Sequence, residues 1–254
     1  MTVDLHHLDE GPRDAPVLVL SGSLGSTLQM WRPQVAALTE RFRVIRVDHR
    51  GHGGSPVPPG PYRIADLADD VLALLDGLGL DRVAWCGLSL GGMVGMRLAS
   101  ESPERISRLT LCCTTAHFPD PAPWEERIAA VSSGGTGPLA QGVVSRWFTP
   151  GWAAAHADVV AEAEAMVAGT PDDGYLACCQ AIEAWDHRDR LGAITAPTLV
   201  IAGSADLATP VEPHARTLAE GIPGARLEVL DAAHLASVEA AAEVTALVAE
   251  ITTP

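Results

Sequence analysis

The chain has 254 residues, 47% of them hydrophobic, and a formal net charge of −15. With no repeat or low-complexity tract, that composition fits an ordered globular protein with a full core. All 17 basic residues are arginine, and the acidic balance argues against nucleic acid or an anionic membrane surface as a general partner.

The N-terminus, Met1-Thr2-Val3-Asp4, lacks the basic start and apolar run of a signal peptide. No stretch approaches the ~20 apolar residues of a membrane span, so the cytoplasm is the expected compartment. The five cysteines, Cys86, Cys112, Cys113, Cys178 and Cys179, are odd in number, include two adjacent pairs and show no C-x-x-C spacing. They read as small buried apolar residues with free thiols, and no metal site is expected.

Taken in order, Val3–Leu8 alternates and predicts a first strand, ended by Asp9-Glu10-Gly11-Pro12. Pro16–Leu20 is a continuous apolar run, as in a strand buried on both faces. It breaks at the glycine-rich Ser21-Gly22-Ser23-Leu24-Gly25-Ser26. Trp31–Leu38 predicts a helix, with Pro33 tolerated in its first turn. Arg43–Val47 predicts a strand leading into Asp48-His49-Arg50-Gly51-His52-Gly53-Gly54-Ser55. His49 and His52 lack carboxylates at ligand spacing, so they read as loop-structuring residues. Ile64, Leu67, Val71, Leu74, Leu75 and Leu78 share a helical face, and Gly79 stops it.

Arg82–Cys86 predicts a strand, followed by Gly87-Leu88-Ser89-Leu90-Gly91-Gly92 and a small-residue helix over Met93–Ala99. A strand, then G-x-S-x-G, then a helix is the pattern of a nucleophile elbow. The serine sits in a strained turn whose neighbours must approach without side chains. The helix N-terminus then points N–H groups at developing negative charge. Arg108–Cys113 predicts the next strand. The alternation of strands and helices implies a mostly parallel, doubly wound α/β sheet.

From about 119 to 190 apolar strands vanish and helical segments take over. Six of the chain's eleven aromatics lie here: Trp124, Trp147, Phe148, Trp152, Tyr175 and Trp185. An inserted helical cap would hold such side chains above the serine as a mostly apolar pocket, or use them only to hold itself together. The core is thus expected at 1–118 and 191–254 and the cap at 119–190. The sheet resumes with Pro197–Gly203. A helix over Val211–Glu220, a last strand over Arg226–Leu230 and a final helix over Ser237–Ile251 complete the chain.

Ser89, Asp206 and His234 each fall just past a predicted strand end, in the order nucleophile, acid, base. In a parallel sheet those ends share one edge, where ligands bind. His234 would take the Ser89 proton, and Asp206 would fix the imidazole tautomer and stabilise its cation. Asp231, three residues before His234, is the competing acid. The N–H groups of Leu24 and Leu90 are the candidate oxyanion donors, with a plain strand-to-helix turn as the rival reading of the loop around Leu24.

On these residues the chain is identified as a member of the α/β-hydrolase family. Ser21-Gly22-Ser23-Leu24-Gly25, Met30-Trp31-Arg32-Pro33-Gln34, Gly87–Gly95, Arg146-Trp147-Phe148-Thr149 and Ala233-His234-Leu235 together resemble the 3-oxoadipate enol-lactonases over nearly the whole chain. That resemblance implies cofactor-free opening of a small anionic lactone in bacterial aromatic catabolism. Gly22 departs from the family, where many members carry Asn, and the N-terminus is short by one strand. With the chain ending at Pro254, the decarboxylase domain fused to some relatives is not expected here. An anionic substrate entering a protein of this charge needs a local cation, which without lysine must be arginine. Arg127 and Arg146, each near a tryptophan (Trp124, Trp147), are the candidates, with pairing of Arg127 to Glu125 or Glu126 as the alternative. A general esterase or carbon–carbon bond hydrolase, and a receptor that keeps the triad but mainly binds, are competing functions. The oligomeric state is left open.

Overall fold

A computed structural model describes residues 1–253. Its centre is a seven-stranded sheet in the order β1-β3-β2-β4-β5-β6-β7. The strands are β1 (His7–Glu10), β2 (Val17–Ser21), β3 (Arg43–Val47), β4 (Val83–Leu88), β5 (Ile106–Cys112), β6 (Thr198–Gly203) and β7 (Arg226–Leu230). Every pairing is parallel except β1 with β3. β4 and β6 are buried along their whole length, which is why their sequences run apolar without alternation.

Helices α1 (Arg32–Leu38), α2 (Ile64–Gly77), α3 (Leu90–Glu101), α9 (Arg216–Gly221), α10 (Ala236–Glu239) and α11 (Ala241–Thr252) cover the sheet. α2 packs on α3, and α1 packs on α11; α3 and α11 each reach β5. The α2 stripe read from the sequence is buried at Ile64, Leu67, Val71, Leu74 and Leu75. Five helices lie between β5 and β6: α4 (Ala122–Gly134), α5 (Ala140–Val144), α6 (Pro150–Ala155), α7 (Ala157–Ala168) and α8 (Asp172–Glu183). The chain enters and leaves them side by side, joined by an antiparallel bridge between His117 and Asp186.

Several expected boundaries move. The first strand lies at His7–Glu10, not Val3–Leu8, because charge sets its register: Asp9 pairs with Arg43 at 2.7 Å and Glu10 with Arg46 at 2.7 Å. Leu5 is still buried, but the Val3 N–H turns to Asp70 at 2.8 Å. β4 runs on through Gly87 and Leu88, since Gly87 is ladder-paired with Ser21 and Leu111. The final helix is broken at Ala240 (φ −113°, ψ 47°) into α10 and α11. The expected helix from Val211 starts with an irregular turn in which Glu212 is extended, and becomes α-helical at Arg216.

Candidate active site

The elbow is fixed by its backbone. Ser89 follows β4 and precedes α3 with φ 54° and ψ −111°, outside the usual regions for a residue with a side chain. Its N–H donates to Cys112 O at 2.9 Å, and its carbonyl accepts from Thr114 Oγ1 at 2.7 Å. A Cβ at Gly87 would run into the Gly91 carbonyl, and one at Gly91 into the Ser21 carbonyl. The turn therefore closes only with glycine at both places. Trp85 Nε1 donates to Gly91 O at 3.0 Å and locks the start of α3 to the strand.

Asp206 and His234 come together from the ends of β6 and β7. His234 Nδ1 donates to Asp206 Oδ2 at 2.9 Å. The same carboxylate accepts from Thr209 Oγ1 at 2.8 Å, Ala208 N at 2.8 Å and Thr209 N at 3.1 Å. Burial pushes the Asp206 pKa up, but the His234 charge and these hydrogen bonds outweigh it and hold the pKa at about 2. With Nδ1 donating to Asp206, Nε2 is the ring nitrogen left without a protein partner among the described residues. Ser89 and His234 line the same cavity and are not hydrogen-bonded to each other; such contacts are often long before substrate binds. Asp231, the competing acid, is exposed, and its carboxylate meets Ser204 Oγ at 3.4 Å.

Leu24 lines the cavity; Leu90 is fully buried at the first position of α3. Among the described residues neither backbone N–H has a protein acceptor, whereas Gly91 N–H, the next in line, is taken by Gly22 O at 3.0 Å. His49 and His52 are buried away from the cavity lining. His49 Nε2 lies 3.1 Å from Ser21 Oγ and 3.2 Å from Gly22 O, and burial, with the nearby His52, pushes its pKa down to about 3.

The cavity holds about 200 Å³, below the ~300 Å³ where sites for drug-sized ligands begin. Trp124, Arg127, Arg146 and Trp147 all line it, with Phe118 and Leu207. The Arg127 guanidinium lies over the Trp124 ring at 4.9 Å. Neither Arg127 nor Arg146 has a carboxylate partner among the described residues, so Glu125 and Glu126 do not neutralise Arg127. Arg146 keeps much of its surface in solvent, yet partial desolvation and then the charge of Arg127 lower its pKa from the ordinary arginine value. Two guanidiniums without carboxylate partners thus line one small cavity, which the Asp120 carboxylate also lines. Among the described residues no cluster of His, Cys, Asp or Glu could hold a metal ion, and no helix is long and apolar enough to cross a membrane.

Sequence reasoning missed Glu239. Its carboxylate accepts from Ala233 N at 2.9 Å, beside His234, and from Thr149 N at 3.2 Å and the Thr149 hydroxyl. Leu235 N donates to Trp147 O at 2.8 Å. The His234 loop is thus tied to the cavity wall on both sides. A glutamate at a helix end gives no sequence signal of such a role.

Residues 15–241 match the model of the alpha/beta hydrolase fold family. The chain is 40% identical over 237 residues to 3-oxoadipate enol-lactonase 2 of Acinetobacter baylyi, covering 93% of this chain and 88% of the relative. It superposes on the crystal structure of the enol-lactonase from Burkholderia xenovorans with a TM-score of 0.97 at 42% identity, covering 99% and 97% of the two chains. A thermophilic esterase from Thermogutta terrifontis with malate bound gives a TM-score of 0.90 at 31% identity, covering 98% and 92%.

Proposed function

Because the chain belongs to the α/β-hydrolase family, and is therefore a hydrolase with enol-lactonase relatives, we propose that it hydrolyses 3-oxoadipate enol-lactone to 3-oxoadipate. The observation that carries this reading is the small cavity joining Ser89 and His234 to two unpaired arginines. The lactone is compact and carries one carboxylate, which Arg127 and Arg146 would hold against the Trp124 and Trp147 walls. Residues 119–190 act in this reading as the cap that supplies those groups.

Ser89 attacks the ring carbonyl while His234 Nε2 takes its proton, and Asp206 stabilises the resulting imidazolium. The oxyanion sits between Leu24 N–H and Leu90 N–H. Ring opening expels an enolate, a better leaving group than an alkoxide, which His234 protonates. The acyl chain on Ser89 still carries the former leaving group, so nothing departs at this stage. Water, deprotonated by His234, then attacks the ester and releases the acid; the enol relaxes to the ketone.

A general esterase is the second reading, supported by the likeness to an esterase that holds malate. Incubation of the protein with synthetic enol-lactone, followed by NMR, tests the proposal. One 3-oxoadipate should appear for each lactone consumed, far faster than in buffer. Lactone that persists at its spontaneous rate rules the proposal out.

A further inference from the structure

Three consecutive backbone N–H groups stand at the mouth of β2. The first, Ser23, donates to the Met30 thioether sulfur at 3.4 Å. The third, Gly25, donates to His52 Nε2 at 2.9 Å. The middle one, Leu24, has no protein acceptor among the described residues and belongs to a residue that lines the cavity. We infer that Met30 and His52 are positioning residues for the reaction, which hold the two neighbours of Leu24 so that its N–H alone is presented to the oxyanion. This inference rests on the reading of Leu24 as an oxyanion donor given above.

The geometry is that of a clamp. The peptide that carries the Leu24 N–H has the Ser23 carbonyl at its other end. That carbonyl accepts from Ser26 N at 3.1 Å and from Ser26 Oγ at 2.8 Å. The Ser26 hydroxyl also lies 3.0 Å from Met30 Sδ. The peptide plane is therefore gripped from its oxygen end, while its N–H has no protein acceptor among the described residues and belongs to a residue that lines the cavity. A Cβ at Gly22 would stand 2.7 Å from Ser26 Oγ and 2.8 Å from Met30 Sδ, so the bare backbone lies directly on the clamp.

Met30 and His52 are only 2% and 1% exposed and neither lines the cavity. Neither can touch substrate, so any effect on rate passes through the loop. Each also comes from a rigid segment anchored on one residue. Asp48 Oδ1 accepts from Leu28 N at 2.6 Å, at the start of the turn that carries Met30. Asp48 Oδ2 accepts from Gly54 N at 3.0 Å, in the loop that carries His52. His52 Nδ1 lies 3.3 Å from the Arg50 carbonyl and donates to it, which leaves Nε2 as an acceptor. Burial lowers the His52 pKa and keeps the ring in that neutral form.

A thioether and an imidazole suit this task for a physical reason. Each accepts one N–H without offering the site a competing donor or charge. A carboxylate there would be acceptor enough but would repel the oxyanion forming one residue away.

The test uses Met30→Leu, which keeps volume and removes the acceptor, His52→Phe, His52→Gln, and Ser89→Ala as reference. Steady-state kinetics on the enol-lactone and p-nitrophenyl acetate are read beside affinity for a boronic acid that forms a tetrahedral adduct on Ser89. Outright loss of an oxyanion donor costs roughly 10²–10³ in kcat, so a loosened one should cost about tenfold in Met30→Leu and at least that in His52→Phe, with KM within about twofold. Boronate affinity should fall in step with kcat, and His52→Gln, which retains an acceptor, should recover part of the loss. Should His52→Phe fail to fold, Met30→Leu carries the test alone. Unchanged kcat in the folded variants, or a loss of kcat with boronate affinity intact, overturns the inference. If Ser89→Ala abolishes turnover while the clamp variants are normal, only this inference fails; turnover that survives Ser89→Ala sinks the parent reading.

Discussion

At the sheet edge the working parts are backbone: a strained Ser89, bare glycines at 87 and 91, and two N–H groups without protein acceptors. In α4–α8 and their connections they are side chains: Trp124 and Arg127 on α4, and Arg146 and Trp147 in the turn after α5. A backbone device needs a rigid support and tolerates almost no substitution. A side-chain device needs only a helix that faces the cavity, and can be retuned residue by residue. Under the proposed function, the difference assigns the reaction type to the edge and the choice of substrate to the helices above it.

The largest effect should come from the edge. Ser89→Ala is expected to cut turnover by roughly 10⁴-fold or more on every ester and lactone, because the proposed triad would act as a unit. A variant that is folded and keeps near wild-type rate would remove Ser89 from the account. The next effect should be confined to anionic substrates. Arg127→Met and Arg146→Met should each raise KM for the enol-lactone by about tenfold, the loss of one charge-assisted contact, and leave p-nitrophenyl acetate unchanged. Equal losses on both substrates would break the division of labour between edge and helices.

A third test concerns the support beneath the edge. Burial lowers the pKa of His49 to about 3 and that of His187 to about 4, from 6.5. Both values lie below that of the unfolded chain, so the unfolded state takes up protons first as pH falls. Their contribution to stability is complete above pH 6.5 and is lost progressively toward pH 4 and 3, at about 1.4 kcal/mol per pH unit for each ring. Asp206, held at about 2, contributes in full above pH 3.8 and loses its share only below that. The two rings together lose about 4 kcal/mol between pH 6.5 and 5, so thermal melts should show Tm falling by about 8–16 °C between pH 7 and 5. A flat Tm over that range would contradict the buried neutral histidines. The smallest effect is expected from the thiols, all five of which are buried and free. Burial raises the pKa of the Cys86, Cys178 and Cys179 thiols above the ordinary value. Changing Cys112, Cys113, Cys178 and Cys179 to small residues should cost stability and leave kcat within about threefold, since inert thiols carry no chemistry. A selective loss of rate would point to Cys113, whose Sγ lies 3.9 Å from the Ala233 carbonyl.

The same division governs what could be read from the sequence. Arg43–Val47 and Arg226–Leu230 were legible to the residue, because apolar runs bounded by turns define strands locally. G-x-S-x-G was legible because close approach leaves glycine as the one solution. Trp124, Arg127, Arg146 and Trp147 could be named by type and position, and all four line the cavity. What could not be read depends on tertiary partners. The β1 register follows from Arg43 and Arg46 some 35 residues away. The break at Ala240 has neither glycine nor proline to announce it. The acceptors at Met30, His52 and Glu239 look like an ordinary core residue, a loop histidine and a surface acid until the fold brings them to Ser23, Gly25 and Ala233.

The most direct test of the central claim is kcat/KM for 3-oxoadipate enol-lactone beside p-nitrophenyl acetate and a neutral saturated lactone of similar size. The account predicts a lead of several orders of magnitude for the enol-lactone, part of it from the enolate leaving group and part from the arginine wall. A simple ester that matches or exceeds the enol-lactone would contradict it and make the protein a general esterase.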